Sequence, residues 1–143
     1  MVADGLFYEP LVRALGTLEE ALNSAQKRPN DLIARDATIQ RFEYTYELAT
    51  KILRRYLVMQ ALSGDEIAQM GFKNLIREAN ARGILRGDVA LWDSFREARN
   101  LTGHTYRAPI ADEVFEKIPA FIGEVRFFLD ELRRVERTEN GDH

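Results

Sequence analysis

A 143-residue chain with 45% hydrophobic and 30% charged residues is read as one soluble globular domain, spanning residues 1–137 and large enough to bury a single core without disulfides. Its net charge of -3 excludes a surface coated with nucleic-acid-binding cations, so any RNA contact has to be local. With no cysteine and only His104 and His143 as imidazoles, disulfides, thiol catalysis and thiolate zinc sites are excluded, and neither a metal site nor a cofactor is expected.

The first residues, Met1-Val2-Ala3-Asp4-Gly5, carry no basic region ahead of an apolar stretch. No run approaches the roughly 18 apolar residues of a membrane span, so cytoplasmic residence without membrane contact is expected. Leu11, Leu15, Leu18 and Leu22 recur at helical spacing, which predicts an amphipathic helix over residues 6–27 in spite of Gly16, closed by Pro29-Asn30-Asp31. The longest pattern follows. It is capped by Asp31 or Asp36, carries Ile39, Phe42, Tyr46, Ala49, Leu53 and Tyr56 along one face, and ends near Leu62. Its outer face sets Glu43, Glu47, Lys51 and Arg55 at successive i,i+4 steps, with a favourable Glu47-to-Lys51 pair, and that face wants water.

Ser63-Gly64-Asp65 reads as the start of a loop. A shorter helix with Phe72, Leu75, Ile76 and Ala79 on one side closes at Arg82-Gly83, with the glycine in the left-handed cap position. Asp88 is the expected cap of the next helix, in which Leu91, Phe95, Ala98 and Thr102 trace a buried stripe, while Trp92, Arg96, Arg99 and Gly103 run along its flank. Gly103 can end that helix and let the backbone turn. The last helix opens with Pro109 and the acids Asp112 and Glu113. Val114, Ile118, Phe121, Val125, Phe128, Leu132 and Val135 then give the strongest periodicity in the chain, with a kink expected at Pro119 and a disordered tail over residues 138–143. No strand-like alternation competes. The expected fold is therefore all-α, an antiparallel bundle of about five helices.

The functional signal is the octet Arg99-Asn100-Leu101-Thr102-Gly103-His104-Thr105-Tyr106, where a permanent cation, an imidazole and a phenol fall within about two helical turns. RNA carries its own nucleophile, the 2′-hydroxyl. Its cleavage needs no metal when a base takes that proton and a cation steadies the phosphoryl oxygens. An imidazole ordinarily titrates near 6.5, which suits His104 to the first task, and a guanidinium that donates bidentate bonds to phosphate suits Arg99 to the second. Asn100 could add a neutral donor and Arg96 a second cation. The reaction also needs an acid at the leaving 5′-oxygen, which a two-fold dimer would supply from a second His104.

Plainer readings stand beside these. An arginine and a histidine near a helix end often serve only the last carbonyls and the negative end of the helix dipole. Trp92, Tyr44 and Tyr46 read as core or interface anchors rather than base-stacking platforms. Glu43 and Glu47 fit a solvated face with ion pairs better than a cation site, and Arg54-Arg55 and the Arg82/Arg86 pair read as solvated charge.

The octet resembles the pattern Arg, four residues, His, one residue, Tyr of HEPN-domain proteins, in the branch of nucleotidyltransferase substrate-binding proteins. Two further blocks resemble that branch: residues 35–49, from Arg35-Asp36-Ala37-Thr38 to Tyr46-Glu47-Leu48-Ala49, and Ile76-Arg77-Glu78-Ala79 leading through Gly83 to Trp92. The resemblance implies an all-α homodimer working beside a minimal nucleotidyltransferase encoded nearby. In toxin–antitoxin members it implies a metal-independent ribonuclease at the dimer cleft, with Arg99 and His104 as catalytic residues and Tyr106 as the acceptor of AMP that silences the toxin. It also implies an alternative, a non-catalytic subunit that docks the transferase and binds a nucleotide through Arg96, Arg99 and His104. Two positions depart from the pattern: Thr50 stands where the family carries a bulky aromatic, and Gly103 replaces a Ser or Ala before the histidine.

Overall fold

A computed structural model describes residues 7–60 and 64–139 of the chain. Among the described residues there are six α-helices and no strand: α1 (Glu9–Lys27), α2 (Leu32–Gln60), α3 (Gly64–Gln69), α4 (Phe72–Ala81), α5 (Val89–Leu101) and α6 (Ala108–Glu139), with a 3₁₀ turn at Thr102–His104 between the last two. The expected first residue of α1 and last residue of α2 lie outside the described residues.

Local chemistry sets most of the boundaries. Pro10 sits in the first turn of α1, where its missing N–H is no loss. The Asp31 carboxylate accepts from the N–H groups of Ile33 at 3.0 Å and Ala34 at 3.1 Å, so Asp31, not Asp36, caps α2. After α4, Gly83 takes φ 77°, the Gly83 N–H bonds the Asn80 carbonyl and the Ile84 N–H bonds that of Ala79, the paired bonds of a Schellman stop. Asp88 caps α5 by accepting from the Leu91 N–H at 3.0 Å.

The four longer helices alternate in direction. Thr17 of α1 meets Tyr44 and Arg41 of α2; Tyr8 and Glu19 of α1 pair with Glu136 and Arg126 of α6 in reverse order; Trp92 and Phe95 of α5 meet Glu124 and Phe121 of α6, again in reverse. The leucine ladder of α1, the predicted face of α2 and the stripe of α6 from Val114 to Leu132 are all buried, while Val135 is half-buried. Phe121 is the hub, with four rings around it: Phe42 at 5.0 Å, Phe95 at 5.4 Å, and Tyr46 and Trp92 at 6.1 Å.

Several expectations change. The segment expected to open as a loop is instead helical from Gly64, as the short α3 that buries Ile67. On α5 the buried stripe is Trp92, Phe95 and Ala98, rotated toward the tryptophan, and Leu91 and Thr102 are half-buried. The turn after α5 does not use the freedom of glycine: Gly103 has no positive φ, and a Cβ added there would meet nothing within 4 Å. The span of α6 continues through Pro119 and reaches Glu139, so the first two residues of the expected tail are helical, the remainder lying outside the described residues.

The rotation of α5 has a polar cause. Glu124 of α6 is only 3% exposed, and its carboxylate accepts from the Gly87 N–H at 2.7 Å, Trp92 Nε1 at 3.1 Å and Arg86 Nε at 3.3 Å. Arg86, expected as solvated charge, thus partners a buried acid and lies over the Phe127 ring. Gly87 is needed for space, because a Cβ there would sit 2.6 Å from the Glu124 carboxylate and from Leu91. Glu124→Ala leaves a buried indole N–H and a backbone N–H unpaired and should cost about 2–5 kcal/mol. Gly87→Ala should also destabilise by displacing the carboxylate. Urea melts followed by the fluorescence of Trp92, the sole tryptophan, measure both.

Candidate functional site

The octet occupies the exit of α5, the 3₁₀ turn and the start of the connection to α6. The Thr102 hydroxyl closes the end of α5 by donating to the Arg99 carbonyl at 2.8 Å, and Thr105 repeats the bond to the Thr102 carbonyl at 3.2 Å. The Arg107 N–H bonds the His104 carbonyl at 3.2 Å, which fixes the backbone on either side of the imidazole. His104 and Asn100 are exposed, and Tyr106 is 82% exposed. The His104 and Tyr106 rings lie 6.4 Å apart, centre to centre. None of the octet's chemistry is sealed in the core.

Arg99 is the most engaged member. Its guanidinium binds the Glu47 carboxylate through Nε at 3.1 Å and through Nη2, and Nη2 also lies 3.8 Å from Glu43. The hydrogen bond to Glu47 raises the Arg99 pKa above its already high ordinary value. Glu43 and Glu47 are the residues that sequence reasoning missed as part of the site: they are the face of α2 expected to meet water, and Glu47 turns to α5 instead of serving Lys51. The signal lay in the spacing, since two acids one helical turn apart can bracket one guanidinium, but nothing local tells which cation will arrive. Among the described residues no cluster of three His, Asp or Glu side chains is arranged to hold a metal ion.

Arg96, one turn before Arg99, is exposed and faces α4, its guanidinium carbon 5.1 Å from the centre of the Phe72 ring. Beneath both arginines lies Tyr46, whose phenol is pushed up to about 12, chiefly by burial and against the opposing pull of Arg96 and Arg99. Trp92 is 1% exposed and belongs to the core, not to the octet's surface. Thr50, the first departure from the family pattern, bonds the Tyr46 carbonyl at 3.1 Å. The second, Gly103, has room for the Ser or Ala that the family carries.

Residues 6–134 match the family model described as "Nucleotidyltransferase substrate binding protein like". The chain belongs to this family. It is the branch of the HEPN family that the three sequence blocks resemble. One relative, from Haemophilus influenzae and named "Probable ribonuclease HepT", is 41% identical over 96 residues, a match that covers 67% of this chain and 65% of that protein. The match therefore spans slightly less than two thirds of the relative's length. A solved structure from Haemophilus influenzae, described as the fold of a substrate-binding domain of a nucleotidyltransferase, superposes with a TM-score of 0.82 at 32% identity over 89% of this chain and 99% of that one. A crystal structure from Thermus thermophilus gives 0.70 at 34% identity over 86% and 98%. The two solved structures share the fold of the present chain, and among the described residues no helix of this chain is long and apolar enough to cross a membrane.

The Arg99 contacts make a direct prediction. The pair is largely solvent-facing, the Arg99 and Glu47 side chains being 29% and 57% exposed, so breaking it should cost under about 1 kcal/mol of stability. Glu47→Gln frees the guanidinium for other anions, and affinity for inorganic phosphate should rise by up to about fivefold, the equivalent of that energy. Titration calorimetry measures it, and a melting curve checks that the stability loss stays under about 1 kcal/mol.

Proposed function

We propose that this chain is the HEPN subunit partnering a minimal nucleotidyltransferase and that it is a metal-independent endoribonuclease toxin. Two copies would bring Arg99 and His104 of each protomer to one cleft. His104 takes the 2′-hydroxyl proton of RNA, and the 2′-oxygen attacks the adjacent phosphorus. The 5′-oxygen leaves with a proton from His104 of the partner subunit, so the products carry a 2′,3′-cyclic phosphate and a free 5′-hydroxyl. Arg99 exchanges the Glu47 carboxylate for the phosphoryl oxygens, with Arg96 and Asn100 as supporting donors.

The observation that carries the reading is the exposure of His104 and Tyr106 at the end of the helix that presents Arg99. A phenol so open is accessible to a transferase. AMP attached to it adds an anionic phosphate beside the imidazole, where substrate phosphate has to sit. The alternative is a non-catalytic subunit that docks the transferase and binds a nucleotide through Arg96, Arg99 and His104.

The purified protein without its transferase, in EDTA, should cut single-stranded RNA to 2′,3′-cyclic phosphate ends. His104→Ala and Arg99→Gln should each lower kcat by at least about 100-fold, the usual contribution of a general base or of one charge-stabilising donor. Incubation with the transferase and ATP should add the mass of AMP to the wild type but not to Tyr106→Phe. Uncut RNA combined with tight nucleotide binding would decide for the alternative.

A further inference from the structure

Beside the octet, between α2, α3 and α4, runs a groove of about 670 Å³ that the proposed reaction leaves unused. Tyr46, Val58, Met59 and Phe72 give it an apolar floor, and Lys51 and Arg55 stand exposed on its rim. A third cation, Arg54, belongs to the wall: its guanidinium donates to the carbonyls of Ile67 at 3.0 Å and Met70 at 2.8 Å, holding the end of α3 in place. Among the described residues, none lining the groove is acidic, and neither Lys51 nor Arg55 has an ion-pair partner.

The groove is continuous with the Arg99 site on two elements. On α5, Arg96 lies one turn before Arg99 and over Phe72, which is part of the floor. On α2, Glu47 holds Arg99, Lys51 follows one turn later and Arg55 one turn after that. The α2 ridge thus passes from two acids that share Arg99 to two cations with no internal partner among the described residues. A row of cations beside a surface that includes an aromatic ring complements a single nucleic-acid strand, whose phosphates recur along the chain and whose bases each offer a flat face. A neutral apolar ligand would leave the row of cations unused.

We propose that this groove binds the stretch of single-stranded RNA adjoining the phosphodiester held at Arg99, with one base against Phe72 and phosphates at Lys51 and Arg55. The proposal rests on the proposed function for RNA as the ligand at Arg99, and it adds a site that favours single strands over duplex, because a paired base has no free face to offer Phe72.

The test uses the full chain and a labelled single-stranded oligoribonucleotide in which every 2′-hydroxyl is methylated, so that it binds without being cut. Anisotropy titrations at several salt concentrations should give a log–log salt slope that falls by about 1.4 in Lys51→Gln/Arg55→Gln, at about 0.7 per lost phosphate contact. Phe72→Leu keeps an apolar side chain but not the ring, and should weaken binding by about tenfold or more. An oligonucleotide with abasic sites should erase the difference between Phe72→Leu and the wild type. On cleavable RNA the same variants should raise KM and leave kcat within about twofold. Lys51 and Arg55 are exposed, so the double variant keeps the test readable even where Phe72→Leu lowers the melting temperature.

Unchanged affinity and salt slope in these variants, or no binding by the wild type, overturns the proposal. Variants that keep the oligonucleotide but lose self-association or the transferase overturn it too, and make the groove a protein-docking surface. Wild type that binds with the expected slope but cuts nothing sinks the catalytic reading and leaves the groove standing; normal cutting with unchanged KM in the variants does the reverse.

Discussion

A single buried carboxylate sets the orientation of the helix that carries Arg96 and Arg99. Glu124 accepts from the loop before α5, from the indole within α5 and from Arg86, so one side chain of α6 fixes where α5 begins and which way it faces. Phe121, one turn earlier on α6, supplies the apolar half of the same contact by packing against Phe95 and Trp92. A helix held at two levels of one neighbouring face has little freedom to roll. Arg96 and Arg99 follow Trp92 along the same flank of α5, one and two turns further on, and that anchor sets their positions. The carboxylate is tolerated in the core because three donors converge on it, and removing it would strand two of those donors in turn.

The other end of α5 is built on the opposite principle. Where Glu124 is dry and fully partnered, the Arg99–Glu47 pair faces water, and water screens what the two charges gain from each other. Such a pair adds little to stability but holds a long side chain in one place at small cost, ready to exchange one anion for another. Under the proposed reading that is a suitable resting state for a phosphate-binding arginine, organised by α2 beforehand and open to that exchange.

What was legible in the sequence was what local chemistry decides. Gly83 ends α4 in the left-handed region, Asp31 and Asp88 cap the helices that follow them, and the leucine and valine–phenylalanine ladders mark the buried faces of α1 and α6, because each of these depends only on residues within a turn or two. The octet was visible for the same reason. The misreadings are nonlocal. Trp92 enters the core as the expected anchor, but its neighbour Leu91, expected on the buried stripe, stays half-buried; nothing within α5 decides that, and a carboxylate 32 residues from Trp92 does. Glu43 and Glu47 do form a water-facing, ion-paired surface, but their partner is Arg99, 52 residues beyond Glu47, and not the nearby Lys51. Gly103 invited a conformational explanation it did not need, since the 3₁₀ turn forms with ordinary backbone angles. Gly87 went unremarked although its missing Cβ is what lets the Glu124 carboxylate approach.

Membership of the family accounts for the bundle, but a bundle does not choose a reaction. Under the proposed reading, the choice is made by arithmetic on imidazoles. The described residues of one chain contain His104 alone, and cleavage through the 2′-hydroxyl has two proton transfers, one from the nucleophile and one to the leaving oxygen. One imidazole could serve both only by crossing from one side of the phosphorus to the other. Two copies related by a two-fold axis place an imidazole on each side at once, with no asymmetry required of either protomer. Activity then depends on assembly as well as on the site, and the exposed tyrosine beside each histidine becomes an effective control point: an anion on either Tyr106 adds negative charge in the cleft that both copies share.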